Sequence, residues 1–524
     1  MILLSAAESR ELDRLSQSKY GIDSYALMRR AGETVADLTL RRWPDAARGA
    51  VAIVAGKGNN GGDGLVAARK LMQAGIATRV LMLAPPEALK GDAARAWRDF
   101  AAAGGAASVA ETGAEIDKFF AAAEKPAAVI DAIFGTGLNA GVHGAARRAI
   151  EQINQSGAPV VAVDIASGVN ADSGAIMGAA VRAALTVTFG CAKYGHVSYP
   201  GAQYCGELEI AEIGFAPAAI GEIAPRGRLI DAGEAALMVA PRASNTHKGS
   251  YGHLLIVAGS YGKSGAAVLA GRGALRAGAG LVTLAIPEPA LPMAAAGQAE
   301  LMTEPMPAVA GGFAAAGTIA RLSGLIGAMN AVAAGPGIGV SAESLALVDW
   351  LIREASAPKR PLLLDADALN AIAEAGAEMV RAARGPIVIT PHPGEAARLL
   401  RITPAEINAD RIGAARKLAE LTGAGVLLKG ARTVVAADDV IAINSSGNPG
   451  MATAGMGDVL SGLIGALLAG GMAPGTALRL GAWMHGDAGD RAARKLGPAG
   501  FLAGELASEL PAVRAALIGR RGDS

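Results

Sequence analysis

The stretch Asn448-Pro-Gly-Met-Ala-Thr-Ala-Gly-Met-Gly-Asp458 organises the C-terminal half of this chain. It is followed by an apolar run from Val459 to Gly470, and no charged residue appears again until Arg479. This pattern predicts a glycine-rich loop that leads into a buried helix. Glycines lack a Cβ atom, so they let backbone N–H groups approach an anion at the positive end of a helix. The stretch therefore predicts an anion pocket with the carboxylate of Asp458 at its edge.

A carboxylate beside an anion pocket needs a chemical reason to be there, because like charges repel. One such reason is to accept a proton from a hydroxyl group that attacks a phosphoryl group. Asp458 is therefore the candidate base of a phosphoryl-transfer site. This machinery alone indicates a kinase and nothing narrower.

The composition limits the class of protein. A chain of 524 residues is too long for one hydrophobic core, so we expect at least two domains. Hydrophobic residues make up 52% and aromatic residues 4%, with 71 glycines, which is typical of an α/β enzyme. The formal net charge is +1 and no long basic run is present, so nucleic acid and anionic membrane surfaces are disfavoured as partners.

The cysteines and the amino end indicate the compartment. Cys191 and Cys205 are too few for a disulfide framework, and the amino end lacks the pattern of a secretion signal. The apolar run after Asp458 is interrupted by glycine and proline before it is long enough to cross a bilayer. We therefore expect a cytoplasmic protein with reduced thiols and no membrane anchor.

The first half of the chain alternates apolar runs with helical patterns. The segment from Ser5 to Leu40 has apolar residues at helical spacing and predicts two helices, with Ser24 as the cap of the second. Short apolar runs then alternate with alanine-rich stretches, which predicts a doubly wound parallel sheet. The predicted strands are Ala50 to Ala55, Arg79 to Leu83, Ala128 to Asp131 and Val160 to Asp164.

Three polar loops follow predicted strand ends: Asn59 to Gly64, Asp131 to Gly141 and Asp164 to Gly168. In parallel sheets, ligands bind beyond the carboxyl ends of the strands. The first loop lacks the glycine spacing of a dinucleotide fingerprint and leads into a helix predicted from Leu65 to Ala74. Turn residues have the same composition, but three such loops at three strand ends favour a ligand site.

Oxygen-bearing side chains in these loops suggest a cation site and an acid/base group. Asn60 offers an amide oxygen, Asp131 a carboxylate and Ser167 a hydroxyl, and these are hard ligands suited to a cation such as an alkali or alkaline-earth ion. The loop from Gly135 to Gly141 can hold phosphates through its N–H groups. Asp164 is the acid/base candidate at the mouth of the sheet.

The motifs of this half are the Asn59 to Gly64 loop, Asp131-Ala-Ile-Phe-Gly-Thr-Gly137, Val163-Asp-Ile-Ala-Ser-Gly168 and Phe189-Gly-Cys-Ala-Lys193. Over nearly all of residues 1 to 215 they resemble the NAD(P)H-hydrate epimerase domain. The resemblance implies that R and S epimers of hydrated NADH and NADPH (NADHX and NADPHX) are interconverted, with Asp164 as acid/base. It also implies a potassium ion held by Asn60, Asp131 and Ser167, whereas Lys193 receives no role. The residues implied to hold the dinucleotide are Asn59, Asn60, Gly61, Gly62, Asp63, Gly135, Thr136, Gly137, Leu138, Asn139, Ala140, Gly141 and Asp164.

Periodicity weakens between Ala216 and Arg242, where prolines and glycines collect. This composition indicates a connection between domains, and we place the boundary near Glu222. The predicted domains are residues 1–222 and 223–524. The second begins a new α/β series, with a helix from Ala266 to Ala277. Its predicted strands are Leu254 to Ala258, Leu281 to Ile286, Ala331 to Ala334, Pro361 to Asp365, Ile387 to Thr390, Gly425 to Lys429 and Thr433 to Ala436.

Several motifs of this domain lie just after predicted strands. The loop Gly259-Ser-Tyr-Gly-Lys-Ser-Gly265 lacks the spacing of a phosphate-binding P-loop. His392 lies between two prolines, which favours a placed ligand contact over a capping or packing role. Lys429 lies between two strands, where it can contact phosphate, and a solvated lysine of a hairpin is the competing interpretation.

Together with His247-Lys-Gly-Ser-Tyr-Gly252 and Thr390-Pro-His-Pro-Gly-Glu395, these motifs resemble the ADP-dependent NAD(P)H-hydrate dehydratase domain, a ribokinase-like branch. The match runs from about residue 226 to about 510. The resemblance implies that Asp458 deprotonates the hydroxyl of the hydrate, which then attacks the terminal phosphate of ADP with Mg²⁺ present. The residues implied to contact the hydrate are Ala266, Gly337 or Gly339, His392 and Asp458, and those implied to contact the nucleotide are Lys429, Gly430, Ala431, Arg432, Thr433 and Gly457.

These observations predict an α/β chain with an N-terminal Rossmann-like doubly wound sheet and a C-terminal ribokinase-like α/β/α domain. The predicted function is repair of hydrated NADH and NADPH, with epimerisation in one domain and ADP-dependent dehydration in the other. The expected partners are small molecules, and we expect a homo-oligomer. The alternative is a small-molecule kinase that acts on a vitamin precursor, with a non-catalytic N-terminal binding domain.

Overall fold

A computed structural model describes residues 1–121 and 125–522 of the chain in two compact units. One unit spans Ile2–Gly227, and the other consists of Met1 with the chain from Arg228 onwards. Each unit is an α/β structure built on a largely parallel sheet, so the predicted fold class is confirmed. Within the described residues, no helix has both the length and the hydropathy that a membrane span requires.

The N-terminal unit is organised around a sheet of seven strands. Their order is β4-β3-β2-β5-β6-β7-β9, and every neighbouring pair is parallel. The winding direction changes between β2 and β5, which opens a ligand crevice beyond their carboxyl ends. The strands of this unit are β1 (Ile2–Leu4), β2 (Ala50–Ala55), β3 (Ala77–Met82), β4 (Ala107–Val109), β5 (Ala128–Ala132), β6 (Val160–Val163), β7 (Leu185–Phe189), β8 (Ala192–Lys193) and β9 (Glu207–Ala211).

Helices cover both faces of this sheet, because successive strand residues point to opposite sides. Ile53 of β2 belongs to one buried core, whereas Ala52 and Val54 belong to the core on the other face. A strand buried on both faces has to be apolar throughout, which is why these runs were recognisable. The helices are α1 (Ala6–Ser18), α2 (Ser24–Arg42), α3 (Asn59–Gln73), α4 (Gly91–Ala102), α5 (Gly113–Ala121), α6 (Gly144–Gln155), α7 (Tyr194–Val197) and α8 (Pro217–Ile223).

Two local predictions in this unit were wrong. Ser24 does not cap α2, because Asp23 occupies the N-cap position and Ser24 is already helical. The segment Asn59 to Gly64 is not a loop but the start of α3. Glycine is a poor helix former, but Gly61 packs so closely that a Cβ atom there would lie 1.9 Å from the carbonyl oxygen of Gly56. Tertiary packing therefore decides the conformation of this segment.

The C-terminal unit has a larger sheet with the strand order β13-β12-β11-β16-β17-β18-β19-β20-β21-β10. Neighbouring strands are parallel from β13 to β19, and the pairs β19–β20 and β20–β21 are antiparallel. The strands are β10 (Gly227–Ile230), β11 (His253–Val257), β12 (Leu281–Pro287), β13 (Met302–Met306), β14 (Ala308–Val309), β15 (Gly312–Phe313), β16 (Ala331–Ala334), β17 (Leu362–Leu364), β18 (Ile387–Ile389), β19 (Gly425–Leu428), β20 (Val434–Ala437) and β21 (Val440–Asn444).

The predicted buried helix after the glycine-rich stretch is present as α18, and it packs against α10. Glycines allow the close approach, since a Cβ atom on Gly462 would lie 1.8 Å from the carbonyl oxygen of Ala270. The helices of this unit are α9 (Ala232–Met238), α10 (Ser264–Ala277), α11 (Leu291–Gly297), α12 (Ala315–Leu325), α13 (Ala342–Trp350), α14 (Asp367–Ala375), α15 (Pro393–Leu400), α16 (Pro404–Ala409), α17 (Arg411–Thr422), α18 (Met456–Ala469), α19 (Pro474–Leu496) and α20 (Ala503–Gly522).

We expect Gly462→Ala to destabilise the C-terminal unit, because the added Cβ atom forces α18 away from the backbone of α10. The expected loss is about 1–3 kcal/mol of unfolding free energy, measured by thermal or urea denaturation. Gly519→Ala is the matched control, because this helical glycine has open space around it. The control should gain about 0.5–1 kcal/mol from helix propensity. Equal effects of the two substitutions would contradict the packing explanation.

Candidate active sites at the carboxyl ends of the two sheets

The start of α3 forms one wall of the N-terminal site. The helix begins directly after β2, with Gly58 at the N-cap position and no side-chain cap. Its first N–H groups, at Asn59, Asn60 and Gly61, precede the first helical hydrogen bond, which runs from the N–H of Gly62 to the carbonyl of Gly58. A helix start with unpaired N–H groups is suited to an anionic ligand.

The loop after β5 packs against this helix start. A Cβ atom on Gly135 would lie 3.3 Å from Oδ1 of Asn60, so the loop backbone approaches that amide closely. The rest of the predicted dinucleotide loop, Thr136 to Gly141, lies outside regular secondary structure and is half-buried to exposed. The loop is therefore accessible to a ligand that binds at the start of α3.

Asp131 and Ser167 lie together beneath this loop. Ser167 donates its N–H to Oδ2 of Asp131 at 2.8 Å and its hydroxyl to Oδ1 at 2.6 Å. Asp131 is fully buried, and burial raises its pKa to about 6 despite these hydrogen bonds. Among the described residues, no basic side chain forms an ion pair with it. A buried carboxylate without a positive partner is a chemically suitable ligand for a cation.

Asp164 is placed just after β6 and forms an ion pair with Lys193. Lys193 Nζ lies 2.6 Å from Asp164 Oδ1, and Thr188 Oγ1 donates to the same oxygen at 3.0 Å. Burial alone would raise the pKa of Asp164, but the ammonium group of Lys193 holds it below its ordinary value. Asp164 also has a positive φ of 65°, an uncommon backbone conformation for an aspartate. Its carboxylate is therefore fixed in place and charged.

Further carboxylates surround this pair. The pKa of the buried Asp63 is raised well above its ordinary value, mainly by burial and secondly by the charge of Asp164. Asp13 of α1 is affected in the same way, with a pKa of about 6. The N-terminal site therefore combines one ionised carboxylate with others that retain protons more readily.

The C-terminal site is centred on the first turn of α18. Gly455 precedes the helix with a φ of 85°, and Asp458 lies in its first turn. Burial and the charge of Asp365 raise the pKa of Asp458 to about 7, although Lys429 opposes this shift. A carboxylate with a pKa near neutrality is well matched to general-base chemistry.

Lys429 is held by carboxylates next to the start of α18. Its Nζ lies 2.7 Å from Asp365 Oδ1 and 3.7 Å from Glu395 Oε2, and Ser461 donates its hydroxyl to the other oxygen of Asp365. A Cβ atom on Gly457 would lie 3.6 Å from this Nζ, so the ammonium group is at the mouth of the predicted anion pocket. The interpretation of Lys429 as a solvated hairpin lysine is therefore wrong.

The predicted nucleotide turn follows Lys429. Gly430 and Ala431 are exposed, and Thr433 donates its hydroxyl to the carbonyl of Gly430 at 2.9 Å. Arg432 has a positive φ of 54° and directs its guanidinium to the carbonyl of Ser445 at 3.3 Å. The turn is therefore closed on itself and leaves exposed backbone for a ligand.

The residues predicted to contact the hydrate lie in neighbouring loops. A Cβ atom on Gly337 would lie 3.2 Å from Cβ of Ala266, and Gly339 donates its N–H to Asp367 at 2.9 Å. His392 caps α15, because its Nδ1 accepts the N–H groups of Gly394 and Glu395 at 2.9 and 3.3 Å. His392 thus has the capping role that the sequence made less favourable than a ligand contact. Its half-exposed side chain is still available to a ligand.

Some residues at these sites were not predicted. Glu395 ends the Thr390 to Glu395 motif and Asp365 ends a predicted strand, so the positions of these two carboxylates were a signal. Thr188, His196 and Ser461 carried no comparable signal, because serine, threonine and histidine occur at many structural positions. Only the folded chain brings Thr188 and Ser461 to the carboxylates they contact, and His196 to the backbone carbonyl of Asp164.

Each half thus has a candidate acid/base carboxylate near a helix start suited to anions, which is the layout expected of an α/β enzyme with two active centres. Residues 24–195 match the family model described as YjeF-related protein N-terminus, and residues 254–512 match the model described as NAD(P)H-hydrate dehydratase. Two bifunctional NAD(P)H-hydrate repair enzymes are similar over the whole chain. The enzyme from Moorella thermoacetica is 41% identical, and the match covers 98% of this chain and 96% of that enzyme. The enzyme from Escherichia coli is 36% identical, and the match covers 96% of this chain and 92% of that enzyme.

The chain therefore belongs to the family of bifunctional NAD(P)H-hydrate repair enzymes, with an epimerase half and a dehydratase half. The vitamin-precursor kinase is not favoured. A solved structure of an ADP/ATP-dependent NAD(P)H-hydrate dehydratase from Bacillus subtilis, co-crystallised with ATP and Mg²⁺, is 27% identical. It covers 55% of this chain and 98% of its own, with a TM-score of 0.48.

The raised pKa of Asp458 predicts a cost in stability that depends on pH. Its pKa is 3.8 in an unfolded chain and about 7 in the folded one, so stability is lost as the pH rises through this interval. Asp458→Asn cannot ionise and should avoid that loss. The quantity to measure, by urea unfolding, is the unfolding free energy of Asp458→Asn minus that of the native chain. We expect this difference to be about 1–3 kcal/mol larger at pH 8 than at pH 5.

Asp117→Asn is the matched control. The hydrogen bond from Arg148 lowers the pKa of Asp117, although desolvation opposes this shift in part. The ionisation of Asp117 therefore changes stability only under more acidic conditions. The control should show no gain in relative stability between pH 5 and pH 8. A flat pH response of Asp458→Asn would contradict the burial of an ionisable base at the start of α18.

Proposed function

We propose that Asp164 is the acid/base of epimerisation and that the start of α3 and the Gly135 to Gly141 loop bind the dinucleotide. The proposal is supported by the 2.6 Å ion pair of Asp164 with Lys193, which keeps the carboxylate ionised and oriented. The unpaired N–H groups of Asn59 to Gly61 are suited to the phosphates of the substrate. Asp164 would take up and return the proton exchanged as the hydroxyl at C6 changes configuration.

We further propose that Asn60, Asp131 and Ser167 hold a potassium ion. The fit rests on the full burial of Asp131 without a basic partner among the described residues. A potassium ion at this place would supply positive charge beside the bound phosphates. Asp131 and Ser167 are already in contact, and Asn60 reaches the same region through its packing on Gly135.

In the dehydratase half, we propose that Asp458 removes the proton from the hydroxyl of the S hydrate. The resulting oxygen attacks the terminal phosphorus of ADP, and AMP leaves. The C–O bond of this phosphate ester then breaks with help from the electron pair of the ring nitrogen, and orthophosphate leaves. Loss of a proton from the neighbouring ring carbon restores the double bond of the dihydronicotinamide. The observation that carries this proposal is the position of Asp458 in the first turn of α18. Burial there and the charge of Asp365 raise its pKa to about 7, which suits a carboxylate that accepts a proton at neutral pH.

The nucleotide is proposed to bind along Lys429 to Thr433 and Gly457, with its phosphates at the start of α18. Lys429 supplies positive charge there, and the N–H groups of the helix start donate hydrogen bonds that stabilise the developing negative charge. Among the described residues, no group of three acidic, histidine or cysteine side chains is arranged to hold a metal. Mg²⁺ is therefore proposed to be held chiefly by the nucleotide phosphates, where it would neutralise their charge.

The reaction is tested by incubating the purified chain with S hydrate and either ADP or ATP. We expect the absorbance of dihydronicotinamide and free orthophosphate to rise together, in equal amounts. Asp458→Asn should abolish turnover while nucleotide binding, measured by calorimetry, is retained. Retained turnover would show that the base lies elsewhere, and a stable phosphorylated product would favour a kinase.

The potassium site is tested by replacing potassium with lithium. We expect the rate of epimerisation of the R hydrate to fall, because lithium is too small for ligands spaced for a larger ion, while the dehydratase rate on S hydrate serves as the internal control. Asp131→Asn should reduce the difference between the epimerisation rates in potassium and in lithium. Equal epimerisation rates in both salts would contradict the assignment of Asn60, Asp131 and Ser167.

Three sequence-based predictions also stand as proposals: a cytoplasmic location, a homo-oligomeric state and a domain boundary near Glu222. Cys191 and Cys205 are both buried and unpaired. Two unpaired thiols are what we expect of a protein in a reducing compartment.

A further inference from the structure

The candidate for a new role is His196, a buried residue of the short helix α7 in the N-terminal unit. It makes two hydrogen bonds, one through each ring nitrogen. Nδ1 accepts the N–H of Lys193 at 3.0 Å, and Nε2 lies 2.9 Å from the carbonyl oxygen of Asp164. Because a backbone N–H can only donate, Nδ1 carries no proton, and the ring proton is therefore on Nε2, where it is donated to Asp164.

Asp164 and Lys193 are therefore connected in two ways. His196 connects their backbones, and the ammonium group of Lys193 connects their side chains through its 2.6 Å contact with Asp164 Oδ1. The result is a closed ring of contacts around the catalytic ion pair. A shift of either backbone changes the distance between ammonium and carboxylate.

The backbone of Asp164 needs such support. Its φ of 65° lies in the left-handed region, which is uncommon for a residue other than glycine. Its N–H is bonded to the carbonyl of Val187 at 2.8 Å, and His196 supplies the bond on its carbonyl side. Both peptide groups next to Asp164 are thereby fixed, and the carboxylate is directed into the site.

We infer that His196 is a positioning residue of the epimerase, and that its neutral Nε2–H tautomer sets the geometry of the Asp164–Lys193 pair. This inference rests on the proposed role of Asp164. Burial, followed by the charge of Lys193, lowers the pKa of His196 to about 4, so the neutral ring persists across the physiological range. Protonation would destroy the acceptor at Nδ1 and break the contact with Lys193.

The test compares His196→Leu with His196→Gln, starting from R hydrate without nucleotide so that only epimerisation is followed. Leucine removes both hydrogen bonds, and we expect kcat to fall about 10- to 100-fold with little change in KM, since small misplacements of catalytic groups have effects of this size. Glutamine offers one acceptor and one donor, so it should restore most of the rate. His253→Leu, which removes a histidine contact with Thr283 in the other unit, is the control and should keep the native rate.

A pH profile separates positioning from a general loss of stability. The titratable groups that face Asp164 are Lys193 and His196, together with Asp63 and Asp13. Loosening the contact with Lys193 raises the pKa of Asp164, so the acid limb of kcat should move to higher pH in His196→Leu. The dehydratase rate on S hydrate should stay unchanged in the same preparation.

Different outcomes distinguish the two hypotheses. If Asp164→Asn abolishes epimerisation while His196→Leu keeps the native rate and pH profile, the inference is wrong and the proposed function stands. If Asp164→Asn remains active, both are wrong. Should His196→Leu fail to fold, ¹⁵N NMR of the histidine-labelled native chain decides: the neutral Nε2–H form supports the inference, and an Nδ1–H form or an imidazolium overturns it.

Discussion

A lysine–aspartate pair with one buried and one half-buried member lies at the carboxyl edge of each sheet, and the geometry of both sites depends on it. In the N-terminal unit the pair is Lys193 with Asp164, and in the C-terminal unit it is Lys429 with Asp365. Removing two charges from water is expensive, so such a pair persists only where hydrogen bonds complete it. The surrounding hydroxyl, amide and imidazole groups are therefore as much a part of each site as the ion pair.

The two pairs serve different chemistry. Asp164 is itself the proposed acid/base, and the contact with Lys193 keeps it ionised. Asp365 lies beside the proposed base, and its negative charge, after burial, raises the pKa of Asp458 to about 7. In the proposed mechanism, one site thus uses an aspartate in its charged form, and in the other a neighbouring aspartate raises the proton affinity of the proposed base.

Much of the fold could be predicted, because strands buried on both faces appear as apolar runs such as Ala50 to Ala55. The pairs β19–β20 and β20–β21 are antiparallel, as their short connections require, because parallel neighbours need a crossover of a dozen or more residues. The helical start of α3 was missed, because its glycines are there for close packing, Gly61 against Gly56 and Gly64 against Ala132, rather than for a turn. Local propensity and tertiary contact disagree at this point, and tertiary contact decides.

The sequence by itself determined the family, the two-domain plan and the acid/base candidates Asp164 and Asp458, because motifs and apolar runs are local properties of the chain. Only the tertiary structure decided the partners of these carboxylates. Lys193 is 29 residues from Asp164, and Lys429 is 64 residues from Asp365. Burial and the field of such distant charges set the pKa values of the site, and both arise only when the sheets bring separate strand ends together.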